Sequence, residues 1–326
     1  MRRGVSDVME KSWKKAGYQL LETFQARPGR HMTALLMHPD RGTVFAKVLP
    51  HNEAVEEKRR YEEISTFIPR DFRLELIEGV STEYAETLIY NACINSQTLD
   101  RWVLGKALTE RFTIRDVILS ILQEGLSQAH WGEGRKGWRN VPPVRLPPLP
   151  SDRPRWVGQI KDHTERMRSS LDTMMGPVGV IHGDLHMRNI HILDNHPVIL
   201  DYGSILTEGC VTEDYVRLEM FFALHVPDEV TWQEAIDSLL FFTPKNSRTN
   251  YILDIASIIR TLWVKNIYRS YGSIDTEMLQ KHYRLFLLRD LIWVMSKANF
   301  PDTARQRAYE SAKSLSHLLF NNANNE

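Results

Sequence analysis

The chain has 326 residues, enough for two lobes or domains, and a hydrophobic content of 42% that argues against disorder. Lys plus Arg and Asp plus Glu stand at 41 each, so no global charge favours nucleic acid or an anionic membrane. Two cysteines, Cys93 and Cys210, are too few for a disulfide framework, and the basic N-terminus (Arg2, Arg3, Lys11, Lys14, Lys15) has no apolar run behind it. With no window approaching a membrane span, the expectation is a cytoplasmic protein with neither nucleic-acid nor membrane partners.

From Tyr18 to Ala92 the pattern is of short strands: Gln19 to Phe24, Met32 to Met37 and Thr43 to Leu49, with turns at Arg27-Pro28-Gly29 and His38 to Gly42. A charged helix is expected at about Asn52 to Phe67, then strands near Phe72 to Ile77 and Thr87 to Ala92. Thr113 with Asp116 three later is capping-box-like, and Ile114, Val117, Ile118, Ile121, Leu122 and Leu126 follow on one helical face. Residues 141 to 154 hold six prolines and read as a surface linker or insertion. Helical stripes follow at Ile255 to Ile267, Asp275 to Ala298 and Asp302 to Phe320, and read as packing faces.

The richest stretch is 178 to 203. Asp184 is followed five positions later by Asn189 and twelve further on by Asp201, each beside a short apolar run: Val178 to Ile181, Ile190 to Leu193 and Val198 to Leu200. Phosphoryl-transfer sites take this form. An Asp orients the attacking hydroxyl, while an Asn and a second Asp hold the Mg²⁺ ions that bridge the nucleotide phosphates. The reading places all three on one hairpin, with Asp201-Tyr202-Gly203 where a kinase has Asp-Phe-Gly. His182 and His186 are four apart, as in zinc motifs, but that motif needs a helix and a Glu between. Here Gly183 follows the first His and no Glu intervenes, so the imidazoles are read as hydrogen-bonding within the loop and holding Asp184.

Lys47, in Thr43-Val44-Phe45-Ala46-Lys47-Val48, stands on the third strand as in the Val-Ala-Ile-Lys motif and is expected to touch the nucleotide's α and β phosphates. Its carboxylate partner should come from the next helix. Glu57 is preferred, because Tyr61 and Ile64 at plus four and plus seven mark its face as inward, and Glu53 is second. The phosphate-covering loop Gln25 to His31 offers one glycine, with Arg27 or Arg30 as phosphate contacts. The Gly132-Glu133-Gly134 run and Gly137 follow no strand and open no helix, so they are set aside. Tyr90-Asn91-Ala92 is the expected adenine hinge.

His182-Gly183-Asp184-Leu185-His186-Met187-Arg188-Asn189 resembles the catalytic loop of the aminoglycoside phosphotransferase and choline kinase group, small-molecule kinases of protein-kinase-like fold. The resemblance implies an α+β bilobal fold, with an antiparallel-sheet lobe over 1–92 and a mostly helical lobe over 93–326 that carries the hairpin 178–203. It implies transfer of the γ-phosphoryl of ATP or GTP, with Mg²⁺, to a hydroxyl of a small aminoglycoside-, choline- or sugar-like molecule. Asp184 is then catalytic, Asn189 and Asp201 hold metal, and Lys47, Glu57, Ala92 and His186 serve the cofactor. Eight acids between Glu208 and Asp237, against the single base Arg217, suggest a cationic acceptor; helix-end capping explains them equally well. Two alternatives stand. A nucleotide-binding pseudokinase or adaptor has no physical need for all of Asp184, Asn189, Asp201 and Lys47. The other is an enzyme of this fold acting on a protein or transferring a nucleotidyl group; the missing glycine-rich loop and the absence of an Ala-Pro-Glu signature count against an ordinary protein kinase.

Overall fold

The structure is a computed structural model that describes residues 3–24, 31–92, 95–106, 110–132, 137–144, 146–224, 251–297 and 300–320. Its contacts divide the chain into two compact units, Met1–Thr98 with Ile190–Gly203, and Leu99–Asn189 with Ser204–Glu326. The class is α+β: an antiparallel sheet dominates the first unit and helices the second.

The first unit begins with helix α1 (Arg3–Lys15), which the sequence reading did not anticipate, and strands β1 (Gln19–Phe24), β2 (Met32–His38) and β3 (Gly42–Leu49). Helix α2 (His51–Ser65) and strands β4 (Leu76–Ser81) and β5 (Glu86–Asn91) complete an antiparallel sheet in the order β1-β2-β3-β5-β4. Alternation along β3 decides what each face carries. Val44, Ala46 and Val48 are buried against α1, whose Met9 and Trp13 join the same core, and Trp13 Nε1–H donates to Thr87 Oγ1 at 2.9 Å. Phe45 and Lys47 therefore point to the other face, where α2 presents Ala54, Glu57, Tyr61 and Ile64 at helical spacing. The strand expected at Phe72 to Ile77 lies about four residues later. Phe72 is instead buried in a short 3₁₀ turn (Arg70–Phe72) behind Pro69, and β4 pairs with β5 from Leu76↔Tyr90 to Ser81↔Glu86. A two-residue strand, β6 (Gln97–Thr98), closes this part of the chain.

The second unit opens with α3 (Leu99–Leu104) and α4 (Arg111–Ser120), which widens into a π turn over Ile121–Gly125 before α5 (Ser127–Trp131). Helix α4 starts two residues before Thr113, so Thr113 is not its cap. After β7 (Gly137–Asn140) the proline-rich residues form no regular element, and Pro154 then opens α6 (Pro154–Asp172), a helix the linker reading missed. Proline is well placed there, because the first helical turn does not need its N–H. Strand β8 (Met175–Ile181) leads into the loop of Asp184.

Strands β9 (Ile190–Leu193) and β10 (His196–Ile199) return to the first unit, joined by Asp194 and Asn195 in the left-handed region (φ 51° and 63°), the geometry of a tight hairpin turn. They form a sheet in the order β10-β9-β6, whereas β8 pairs with β7 and with β11 (Leu206–Cys210). The single hairpin expected over 178–203 is thus two separate sheets joined by the loop. The reason is pairing: every residue of β8 from Met175 to Val178 has a partner on β7. Helices α7 (Thr212–Leu224), α8 (Tyr251–Tyr271), α9 (Thr276–Ser296, capped by Asp275 Oδ1 on the Glu277 and Met278 N–H groups) and α10 (Asp302–Phe320) finish the unit. Among the described residues no helix is long and apolar enough to cross a membrane.

His282 of α9 is wholly enclosed in this helical core, its Nε2 at 2.8 Å from Thr212 Oγ1 and its ring stacked on Trp263. Burial pushes its pKa down to about 3. The unfolded chain takes up that proton near pH 6.5, so the native state loses stability as pH falls below that value. At pH 5 the loss is about 2 kcal/mol. Urea unfolding at pH 7 and pH 5 should show His282→Asn shedding about that much of the wild-type pH dependence; identical pH slopes would contradict the assignment.

Candidate active site

Four side chains of the first unit form a connected charge cluster. Lys47 Nζ, on β3, donates to Glu57 Oε2 at 2.7 Å and to Asp201 Oδ1 at 3.1 Å. Tyr90 Oη, on β5, donates to Glu57 Oε1 at 3.0 Å, so both Glu57 oxygens are engaged and the carboxylate is fixed. The Tyr90 phenol is pushed far above its ordinary range, by burial first and then by the Glu57 charge, and stays protonated to serve as donor. Burial alone would lower the Lys47 ammonium, but Asp201 and then Glu57 outweigh it and hold it charged. Glu53 goes elsewhere, to His31 Nε2 at 3.0 Å.

Asp201 follows β10 with φ 58°, a left-handed conformation that Asp tolerates better than most residues and that marks a constrained position. Three contacts impose it. Arg60 of α2 donates to the Gly203 carbonyl, Tyr202 Oη donates to the Ile199 carbonyl, and the Tyr202 ring packs edge-on against Tyr61 at 5.9 Å. The Asp201 side chain remains 53% exposed, against 15% for Lys47 and 8% for Glu57, so one carboxylate of the cluster faces outward.

The second unit positions the loop. Gly183 turns the chain with φ 74°, where a side chain would strike the Ser204 carbonyl oxygen. Asp214, in the first turn of α7, is fully buried and accepts the His182 N–H at 2.7 Å, the Gly183 N–H at 2.9 Å and a bond from His130 Nε2 at 2.9 Å. Burial works against its ionisation, but these donors prevail and keep it below the usual carboxylate range. Asn189 Nδ2 donates to the Asp184 carbonyl at 2.9 Å and ties the two ends of the loop together. His186 Nε2 lies 3.7 Å from Asp184 Oδ2, its ring stacked on Phe221, and burial lowers its pKa to about 4. Arg217 Nη1, one turn after Asp214, lies 3.1 Å from Asp184 Oδ1.

Each unit therefore holds its own group: Lys47, Glu57, Tyr90 and Asp201 in the first, Asp184, His186, Asn189, Asp214 and Arg217 in the second. Ala92 lies just past β5, where only its backbone is informative. Residues 25–30, with Arg27 and Arg30, fall outside the described residues, as do Asp228, Glu229, Glu234 and Asp237 of the acidic run. The four described acids of that run are already engaged: Glu208 with Arg139, Glu213 with Arg289, Asp214 with the loop, and Glu219 with Arg260 and Tyr283. Among the described residues no group of three His, Cys, Asp or Glu forms a ready metal cage. The oxygens of Asn189 and Asp201 are of the hard type that Mg²⁺ takes, a metal bound by few side chains together with substrate phosphates.

Sequence reasoning missed the roles of Tyr90, expected only as part of the hinge, and of Asp214 and Arg217. Asp214 reads in the sequence as one of the acids for an acceptor; the fold buries it in the segment Val211 to Leu224, and a buried Asp must have partners.

No family model matches the chain, and no curated protein does. Solved structures do. Aminoglycoside phosphotransferase APH(4)-Ia is similar over 96% of this chain and 98% of its own, with TM-score 0.56 and 10% identity. The chain has the fold of the aminoglycoside phosphotransferases. A thermostable mutant of that enzyme, in a ternary complex with AMP-PNP and hygromycin B, is similar over 94% of this chain and 97% of its own, with TM-score 0.53 and 11% identity. The amicoumacin kinase hAmiN, in complex with AMP-PNP, Ca²⁺ and Ami, is similar over 96% of each chain, with TM-score 0.52 and 11% identity.

Replacing Asp214 by Ala strands two backbone N–H groups and a buried imidazole. The expected cost is about 3 kcal/mol or more, since each unmet buried donor costs about 1–3 kcal/mol. Denaturant unfolding measures it, and a loss below about 1 kcal/mol would show that the loop does not hang on this carboxylate.

Proposed function

We propose that the chain is a phosphotransferase that moves the γ-phosphoryl group of ATP or GTP to a hydroxyl of a small molecule. The observation that carries this reading is the Lys47–Glu57–Asp201 cluster in the first unit of a chain with the aminoglycoside phosphotransferase fold. A charged lysine held by a buried carboxylate is a fixed counter-charge for phosphate oxygens, and fixed charge costs no reorganisation when the reaction occurs. Nucleotide analogues in the complexes of APH(4)-Ia and the amicoumacin kinase support the same use of the fold.

In this reading Lys47, steadied by Glu57 and Tyr90, meets the α and β phosphates, and the Ala92 backbone meets the base. Asn189 and Asp201 are the residues that would hold Mg²⁺, which when bound would neutralise phosphate charge. Asp184 orients the acceptor hydroxyl. As the new oxygen–phosphorus bond forms, the bond between the γ phosphorus and the β–γ bridging oxygen breaks. The nucleoside diphosphate leaves, and the hydroxyl proton passes to the Asp184 carboxylate and on to solvent. His186 packs beside Asp184 and stays neutral at pH 7, so it adds no positive charge there. For a cationic acceptor the described part of the acidic run offers little, because its four acids already have partners. A neutral hydroxyl compound fits the engaged acids equally well.

Asp184→Ala should lower ATP turnover by about 10² to 10⁴-fold, the range for losing a positioned acid–base group, and Asp201→Ala, which removes a metal-holding carboxylate, should abolish it. Only Asp201→Ala should also weaken Mg²⁺-dependent ATP binding, which thermal shift with ATP and Mg²⁺ reads directly. Turnover that survives Asp201→Ala would overturn the assignment.

A further inference from the structure

Arg217 is deeply buried for a residue of its charge, with a side chain only 10% exposed, and it is held from two sides. Its Nε donates to Asp290 Oδ2 at 3.0 Å and its Nη2 to Asp290 Oδ1 at 3.2 Å, the two-point fork that a guanidinium makes best. Asp290, on α9, has a fully buried side chain and is itself fixed by Arg289 Nε at 2.7 Å, while Arg289 reaches Glu213 at 2.6 Å. The Arg217 guanidinium also lies over the Trp293 ring, 5.3 Å from its centroid. Little freedom is left to it. The remaining nitrogen, Nη1, points at the loop, where it donates to the Gly183 carbonyl and to Asp184 Oδ1 at 3.1 Å.

We propose that Arg217 is a positioning residue for phosphoryl transfer: anchored on Asp290, it grips one carboxylate oxygen of Asp184 and the preceding carbonyl, and leaves Oδ2 to meet the acceptor hydroxyl. The inference rests on the reading that Asp184 orients that hydroxyl. A carboxylate on a short loop rotates freely about its Cβ–Cγ bond and presents either oxygen. One fixed donor on Oδ1 removes that ambiguity, and a second on the Gly183 carbonyl stops the peptide beneath it from tilting. The device originates on α7, one helical turn past Asp214, so a single helix sets both the backbone of the loop, through Asp214, and the side chain of its aspartate, through Arg217. A purely structural role, tying α7 to α9 through Asp290, would require only the Asp290 half of these contacts.

The test pairs kinetics with structure. ATP turnover, with water as the acceptor, and ATP affinity are measured for the wild type, Arg217→Met, Arg217→Lys and Asp290→Asn; Asp184→Ala serves as the control. Arg217→Met should lower kcat about a hundredfold, the order expected when a reacting group is misplaced by about 1 Å, with ATP affinity within about twofold. Arg217→Lys, which keeps the charge but not the fork, should recover only part of that loss. Asp290→Asn keeps the volume, releases the anchor and should also lower kcat at unchanged ATP affinity, so it carries the kinetic test if Arg217→Met does not fold. Equal kcat in wild type and a folded Arg217 variant would overturn the proposal. Crystal structures of the wild type and Arg217→Lys give a readout that needs no activity: the Asp184 carboxylate should be rotated in the variant, and an unmoved carboxylate would overturn the proposal too. If the wild type turns over no ATP and yet the carboxylate rotates, the phosphotransferase reading fails while the positioning of Asp184 by Arg217 stands.

Discussion

The ammonium of Lys47, sunk beside Glu57 and Asp201, is the interaction on which the first unit is organised. A buried lysine without a carboxylate would be driven toward its neutral form, and a buried glutamate without a cation or donor toward its protonated one. Each therefore requires the other, and the demand reaches into the packing. Helix α2 must show Glu57 to the sheet face opposite α1, Tyr90 must approach from β5, and the residues after β10 must bend back through the left-handed Asp201. The same cluster holds two carboxylates to one ammonium, and of the two it is Asp201 whose side chain is the more exposed.

The second unit solves a different problem with similar means. A loop of eight residues, His182 to Asn189, has backbone groups that no sheet or helix satisfies, and a buried Asp214 takes two of its N–H groups at once. Asp214, Asp290 and Glu219 are all buried acids on α7 and α9, and each is matched by arginine, histidine or backbone donors. Breaking one partner of such a set leaves an unmatched charge in the core, which makes these helices stiff supports for the loop.

Much of this was legible in the letters. Alternation in Val44-Phe45-Ala46-Lys47-Val48 gives the face on which Lys47 stands, and the spacing of Glu57, Tyr61 and Ile64 gives the side of α2 that turns inward, because periods of 2 and 3.6 are local properties. The helix limits at Asp275 and Asp302 were legible for the same reason. What could not be read was partnership across the chain. Nothing near Tyr90 in sequence announces Glu57, and nothing near Arg217 announces Asp184 or Asp290, which are 33 and 73 residues away. The expected single hairpin over 178–203 failed on the same ground. A run such as Val178 to Ile181 reads as a strand wherever it pairs, and only the tertiary fold joins it to β7 and β11 instead of β9. Helix α6 was hidden by the prolines before it, which mark the start of a helix as readily as the end of one.

The most direct test of the charge cluster is calorimetric titration of the wild-type chain with ATP, in the presence and absence of Mg²⁺, followed by the same titration of Lys47→Met. A cluster that fixes phosphates through Lys47 and a metal through Asp201 predicts affinity at least about tenfold tighter with Mg²⁺ and a loss of about tenfold or more in the variant, the size of one charge-assisted contact. Equal affinity with and without the metal, together with an unaltered Lys47→Met, would mean that these groups serve the fold and not a nucleotide.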